Sequence, residues 1–207
     1  MKSYLAILFS ILILSCTQSQ QKSTEKKVGG PCEGCEAIYE FGDQLLDPVD
    51  TIPGFDSSKE KMKVTGIIYQ EDAKTPANGV ILYIYHTNQR GIYQPTDHPE
   101  GWELRHGQHR GWIKTGKDGR YTFYTFRPAS YPNTTISQHI HATIKAPGYT
   151  EYYIDEYLFD DDPFLSESQR NGQRERGGPG GIISLTEADG ILLAERDIIL
   201  GRNIPGY

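Results

Sequence analysis

Two histidines one residue apart, in His139-Ile140-His141, follow the pair Tyr131-Pro132, and a further tyrosine, Tyr93, ends an alternating apolar stretch upstream. In a strand, residues i and i+2 project to one face, so both imidazoles can address a single point while Ile140 turns to the core behind them. Pro132 pushes the preceding residue into extended geometry, which fixes the direction of the Tyr131 phenol. A free phenol has a pKa of about 10, so tyrosine serves as a ligand only to a strongly Lewis-acidic hard cation. Ferric iron, Fe(III), meets that requirement best. Tyr93, Tyr131, His139 and His141 are therefore the candidate metal ligands.

The elements that must carry these residues read as strands. Apolar residues recur with period two in short segments rich in Val, Ile, Tyr, Phe and Thr, which is the pattern of a half-buried strand. The expected strands cover Lys63 to Gln70, Gly79 to His86, Gly111 to Thr115, Arg120 to Phe126, Gln138 to Lys145, Thr150 to Phe159 and Glu195 to Leu200. Lys117-Asp118-Gly119-Arg120 reads as a hairpin turn, because Asp-Gly readily supplies the positive φ such turns need. No segment has the periodicity of a long helix. The fold class is all-β, an antiparallel β-sandwich with Greek-key connections and long site-bearing loops. The longer connections run from Gln94 to Arg110 and from Asp160 to Gly180. His98, His106 and His109 lie in the first and read as surface-loop histidines without a metal role. Tyr83, Tyr121, Tyr124, Tyr149, Tyr152, Tyr153 and Tyr157 read as strand residues that pack or face solvent.

The 207 residues suit one domain, and the formal net charge is −6. With no long basic stripe, nothing points to nucleic acid; Arg170, Arg174 and Arg176 sit in a mixed polar loop. Residues 1–15 read as a signal peptide, with Lys2 ahead of an apolar run too short to span a bilayer. Ser15-Cys16 resembles a bacterial lipobox, which makes residues 16–30 a lipidated Cys16 with a flexible polar tether and 31–207 the folded domain. The expected location is extracytoplasmic, attached to a membrane through the lipid. Cys32 and Cys35 then stand as the remaining thiols, and an oxidising compartment favours a local disulfide between them over a redox-active or metal-binding pair.

Further segments join the tyrosines and histidines: Val64-Thr65-Gly66-Ile67-Ile68, the run from Tyr85 to Tyr93, Arg110 to Thr115, Asp118 to Phe123, Arg127-Pro128-Ala129-Ser130-Tyr131-Pro132, Tyr157 to Pro163 and Arg196 to Leu200. In this order, from Val64 to Arg202, the chain resembles the intradiol ring-cleavage dioxygenases, the family of catechol 1,2-dioxygenase and protocatechuate 3,4-dioxygenase. The resemblance implies a mononuclear Fe(III), with Tyr131 and His139 as the axial pair and Tyr93 and His141 as equatorial ligands. It also implies a catechol-type substrate cleaved by O2 to a cis,cis-muconate, with Tyr131 leaving the metal as a base that takes a substrate proton. The chain departs from the pattern at Ile136, where ring-cleaving members place an arginine; Arg90 and Arg127 are the nearby candidates to replace it.

Two other readings compete. Val64 to Tyr85 also fits transthyretin-like or carboxypeptidase-regulatory-like binding modules, in which the histidines are incidental and the tyrosines face solvent. The substitution at Ile136 also fits an iron-binding homologue without turnover.

Overall fold

The computed structural model describes residues 25–207. The expected signal peptide and Cys16 lie outside the described residues. Among the described residues, twelve strands form two sheets: β1 (Val49–Thr51), β2 (Lys61–Tyr69), β3 (Ile81–Tyr85), β4 (Arg110–Lys114), β5 (Arg120–Phe126), β6 (His139–Lys145), β7 (Tyr152–Tyr153), β8 (Tyr157–Phe159), β9 (Ile182–Ile183), β10 (Thr186–Ala188), β11 (Ile191–Glu195) and β12 (Ile198–Ile199). The helices are short: a 3-10 turn at Cys35–Tyr39, α1 (Glu103–His106) and α2 (Glu167–Asn171). Among the described residues, no helix is long and apolar enough to cross a membrane.

One sheet has the order β1-β5-β2-β11-β10, with β12 also on β2; the other has the order β4-β3-β6-β8-β9, with β7 on β6. The all-β expectation holds, but the pairing is mixed rather than antiparallel throughout. β2–β5, β3–β4 and β3–β6 are antiparallel, whereas β1–β5, β2–β11, β2–β12 and β8–β9 are parallel. A parallel neighbour needs a long return of chain, and period-two patterning does not reveal strand direction.

β2 shows why the alternation is there. Met62, Val64, Gly66 and Ile68 are buried while the residues that alternate with them are partly exposed. Met62, Val64 and Ile68 share one core with Tyr121 and Phe123 of β5 and with Leu82, Ile84, Ile140 and Ile144 of β3 and β6, so the two sheets bury a common interior. Each fully enclosed Ile or Leu contributes roughly 1.5–3 kcal/mol by leaving water. Tyr121 is enclosed as well, its hydroxyl donating to the Arg196 carbonyl and lying 3.0 Å from that of Tyr157.

Four expectations need correction. The Asp118-Gly119 turn has the expected positive φ at Gly119, but β4 pairs with β3 and β5 with β2, so the turn crosses between sheets and is no hairpin. The segment from Thr150 to Phe159 is two short strands, β7 and β8, broken by Ile154, Asp155 and Glu156. The closing stretch is likewise two strands, β11 and β12, and β11 starts earlier than expected, at Ile191. Finally, only His98 of the loop histidines is exposed; His106 and His109 are buried. His106 receives Tyr83 Oη at 2.9 Å and His109 Nδ1 donates to the Pro53 carbonyl at 2.7 Å.

His86, just after β3, is wholly enclosed. Its Nδ1 donates to the Thr87 carbonyl at 2.7 Å, leaving Nε2 to accept from the Thr125 hydroxyl at 2.6 Å. Burial pushes its pKa down to about 3. The unfolded chain, titrating near 6.5, takes the proton first, so the contribution to stability is full above pH ~6.5 and is lost as pH falls toward 3, at about 1.4 kcal/mol per pH unit. Urea unfolding between pH 6.5 and 5, where most carboxylates stay ionised, should show a slope of this sign to which the other buried histidines add, and His86→Gln should reduce it by up to about 1.4 kcal/mol per pH unit. An unchanged slope in the variant would reject His86 as the source.

Candidate metal centre

The four predicted residues converge, each placed by a different local device. His139 and His141 open β6. His141 sits opposite Tyr85 of β3, and His139 sits opposite Leu158 of β8. Ile140 between them is fully buried, which commits both imidazoles to the other face. Tyr93 and Tyr131 come from loops laced together by Asn88. The Asn88 side chain accepts from the backbone of Arg90 and Ile92 at 2.9 and 3.1 Å, while its carbonyl accepts from Gly91 and Ala129. Thr87 adds a hydroxyl donation to the Ala129 carbonyl at 2.7 Å.

The polar tips form one chain. Tyr93 Oη lies 2.8 Å from Tyr131 Oη and 2.8 Å from His141 Nε2, and Tyr131 Oη lies 3.1 Å from His139 Nε2. The far side of each imidazole is fixed. His139 Nδ1 donates to the Ser137 carbonyl at 2.7 Å, so its Nε2 carries a lone pair toward the phenols. His141 Nδ1 meets Glu156 Oε1 at 2.8 Å. Burial lowers the His139 pKa, favouring the neutral ligand form, and raises those of Tyr93 and Tyr131, whose phenols therefore hold their protons in the absence of a strong cation. Burial would raise Glu156 as well, but its bond to His141 wins and leaves its carboxyl below the usual range.

This donor set fits a first-row metal ion. Ligands at roughly 2.0–2.1 Å from such an ion and at right angles to one another stand ~2.9 Å apart, which matches the 2.8–3.1 Å separations here. Two oxygen donors that become anionic on binding and two neutral imidazoles favour a hard, highly charged ion. His139, His141 and Glu156 can also bring ligand atoms within 4.8 Å of one another. Glu156, however, holds the Nδ1 edge of His141, away from the phenols, which is the position of an outer carboxylate that orients a ligand histidine. Tyr131 and His139 stand as hydrogen-bonded neighbours 3.1 Å apart, and both would hold the ion together with Tyr93 and His141.

A cleft of about 200 Å³ opens over these tips, lined by Tyr93, Tyr131 and His141 together with Tyr85, Trp102, Arg105, His106 and Glu33. Tyr85 stacks on His141 at 4.4 Å and on His106 at 3.8 Å, a layered wall that limits ring rotation. Cys32 and Cys35 are joined by a disulfide with Cα atoms 5.6 Å apart, and their loop borders an adjoining cavity of about 270 Å³ that also reaches Tyr85, His141 and Glu156. The arginines considered at sequence level do not line the cleft. Arg127 is held by both oxygens of Asp161 and by Gln138, Arg90 is exposed, and Ile136 is 46 % exposed. Sequence reasoning missed Glu156, hidden inside what read as one continuous strand, where a carboxylate among aromatic residues was the available signal. It also missed Arg105 and Trp102, which carried no periodic signal.

Glu156→Gln keeps the shape but removes the charge behind His141. Ferric affinity, measured by competition with a chelator, should fall about tenfold, within the range of such outer-partner changes. Unchanged affinity would separate Glu156 from the centre.

No protein-family model matches the chain. Catechol 1,2-dioxygenase 1 of Acinetobacter lwoffii is 30% identical over 112 residues, covering 52% of this chain and 32% of that protein. Hydroxyquinol 1,2-dioxygenase of a Rhizobium species is 29% identical over 139 residues, covering 58% of this chain and 44% of that protein. The chain thus spans less than half the length of the curated relatives it matches. Among solved structures, the dioxygenase domain of a carbohydrate-binding fusion protein from Streptomyces sp. SirexAA-E superposes with a TM-score of 0.54 at 21% identity, covering 77% of this chain and 94% of that one. An Acinetobacter catechol 1,2-dioxygenase superposes with a TM-score of 0.56 at 19% identity, covering 78% of this chain and 61% of that one. The sequence relatives and structural neighbours of this chain are intradiol dioxygenases, and it shares their fold.

Proposed function

We propose that this protein binds ferric iron through Tyr93, Tyr131, His139 and His141 and cleaves a catechol-type ring by the intradiol route, on a β-sandwich with Greek-key connections. The observation that carries this reading is the convergence of two phenols and two imidazole nitrogens at 2.8–3.1 Å beneath an open cleft. When bound, the ferric ion supplies Lewis acidity toward a diphenol and the electronic coupling that lets the ring react with O2. The protein's own groups do the rest. His139 and His141 are held in the ligating tautomer by Ser137 and Glu156. Tyr93 is anchored beside Tyr85. Tyr131 borders the cleft, so its Oη is the atom placed to accept a proton from an incoming diphenol.

The test is iron loading followed by catechol and O2. A reddish to purple visible band and a cis,cis-muconate product support the reading; an extradiol semialdehyde, or a protein that takes up no iron, rejects it. A coloured protein that consumes no oxygen with several catechols would favour the iron-binding homologue without turnover, the reading that Ile136 motivates.

The membrane anchor is also a proposal, supported by the apolar run that ends at Ser15-Cys16. Native protein should partition into detergent and Cys16→Ser should not; a mature N-terminus elsewhere would reject the anchor and leave the iron reading intact.

A further inference from the structure

The loop of residues 31–35 stands between two cavities. Glu33 forms part of the wall of the cleft over the phenols, about 200 Å³, and the whole loop lines the adjoining cavity of about 270 Å³. Tyr85 and His141 face both. The loop is therefore a partition that keeps the two edges of His141, Nε2 toward Tyr93 and Nδ1 toward Glu156, in separate spaces. Its hold on the cleft wall is light. Glu33 bonds Arg105, but both side chains are well exposed, so the pair is weak. Gly34, at φ +85, lies against His106, and a Cβ there would stand 2.8 Å from His106 Nε2 and 3.3 Å from the Trp102 ring. His106 in turn stacks on Tyr85, which stacks on His141.

What fixes the loop is the Cys32–Cys35 disulfide, which ties it to the 3-10 turn that follows. That turn is firmly seated: Ala37 and Ile38 are fully buried, and the Ala37 carbonyl accepts from Trp112 Nε1 at 3.0 Å. A bridge across a sequence separation of 3 closes a very short loop and removes less chain entropy than a long-range bridge. Breaking it leaves the sheets standing and releases the partition. The two sulfurs are also unequal. Cys35 is 2% exposed whereas Cys32 is only half-buried, so an incoming thiolate meets Cys32 Sγ. Cys35 is then the leaving group, and the Thr143 hydroxyl 3.7 Å from its Sγ is placed to donate to it. We propose that this disulfide is a redox latch on the cleft, opened by an external dithiol. The first thiolate forms a mixed disulfide with Cys32 and expels Cys35 as a thiolate. The second thiol then displaces Cys32, so the pair gains two electrons and two protons and the reductant leaves as a disulfide. The latch is a property of the loop itself, and its bearing on a bound ion rests on the ferric reading.

Hydrogen exchange on the metal-free protein, before and after reduction by a dithiol, tests the latch independently of iron. Amides from Glu33 to Ala37, and from Arg105 to Gly107 in the single turn that leans on the loop, should exchange at least about tenfold faster once the bridge is open, while those of β2, β3 and β5 keep their native rates. Cys32→Ser combined with Cys35→Ser should reproduce the pattern with no reductant present. A disulfide that resists the dithiol in the folded protein, or exchange unchanged in both segments, would overturn the proposal. So would exchange accelerated throughout both sheets, which would make the bridge a staple of the whole fold. The double variant, in which no thiol can reduce the ion, should surrender ferric iron to a chelator about five- to tenfold faster than the native protein; equal rates would overturn the latch's control of the cleft. A protein that takes up no iron in either form rejects the ferric reading and leaves the latch standing on its exchange pattern.

Discussion

Tyr93→Phe should bleach the iron-loaded protein. Tyr93 Oη is the central link of the polar chain, in contact with both Tyr131 Oη and His141 Nε2, and the visible band proposed for this centre arises from tyrosinate-to-iron charge transfer. Phenylalanine keeps the ring that packs at 5.8 Å from Tyr85, so far-ultraviolet circular dichroism and the unfolding midpoint should barely move. Ferric affinity should drop by more than the roughly 10–100-fold associated with changes behind a ligand. A variant that retains both colour and iron would remove Tyr93 from the ligand set and leave the site to be built from Tyr131 and the histidines alone.

Gly91→Val should disable the centre from a residue that ligates nothing. Gly91 is buried at φ +75, a conformation that a β-branched residue rarely adopts, and a Cβ there would stand 2.0 Å from the Ser130 carbonyl oxygen. Ser130 precedes Tyr131 and Gly91 precedes Ile92 and Tyr93, so relieving the clash drives apart the two loops whose phenols meet at 2.8 Å. The strain lies outside the core shared by the sheets, and the expected loss of stability is about 1–3 kcal/mol. Ferric affinity should fall at least about tenfold, beyond the expected effect of Glu156→Gln. Native-like affinity in a folded Gly91→Val protein would show that the loops position the phenols independently of each other.

The parts legible in the sequence were those with a short physical period or a local constraint. Alternation marked β2, β3, β5 and β6 because each has one face in the core, and the i, i+2 spacing of His139 and His141 placed both on one side of a strand. Tyr131 was legible through the proline that follows it. What stayed hidden depends on contacts distant in sequence. Parallel pairing of β2 with β11 and β12 leaves no trace in either strand. β1, β9 and β10 are too short to show a period, and His106 is buried only because Tyr83, Tyr85 and Trp102 close around it. The cleft wall has the same character, since Glu33 and Arg105 meet across 72 positions of chain.

The parallel bonding of β2 also bears on how the chain reaches this structure. Ile67 donates its backbone N–H to Asp197, 130 positions later, and Met62 to Thr65 pair with Leu192 to Glu195. During synthesis the β2–β5 ladder can form well before its other neighbour exists. For that interval one side of β2 presents unpaired amide groups beside an apolar face, the kind of edge on which strands of different molecules join. Contacts of such long sequence separation slow folding, so the segment from Leu192 to Ile199, made long after β2 and β5, is the one that ends this exposure, and changes there should lower the yield of folded protein although they lie far in sequence from the residues that would hold the metal.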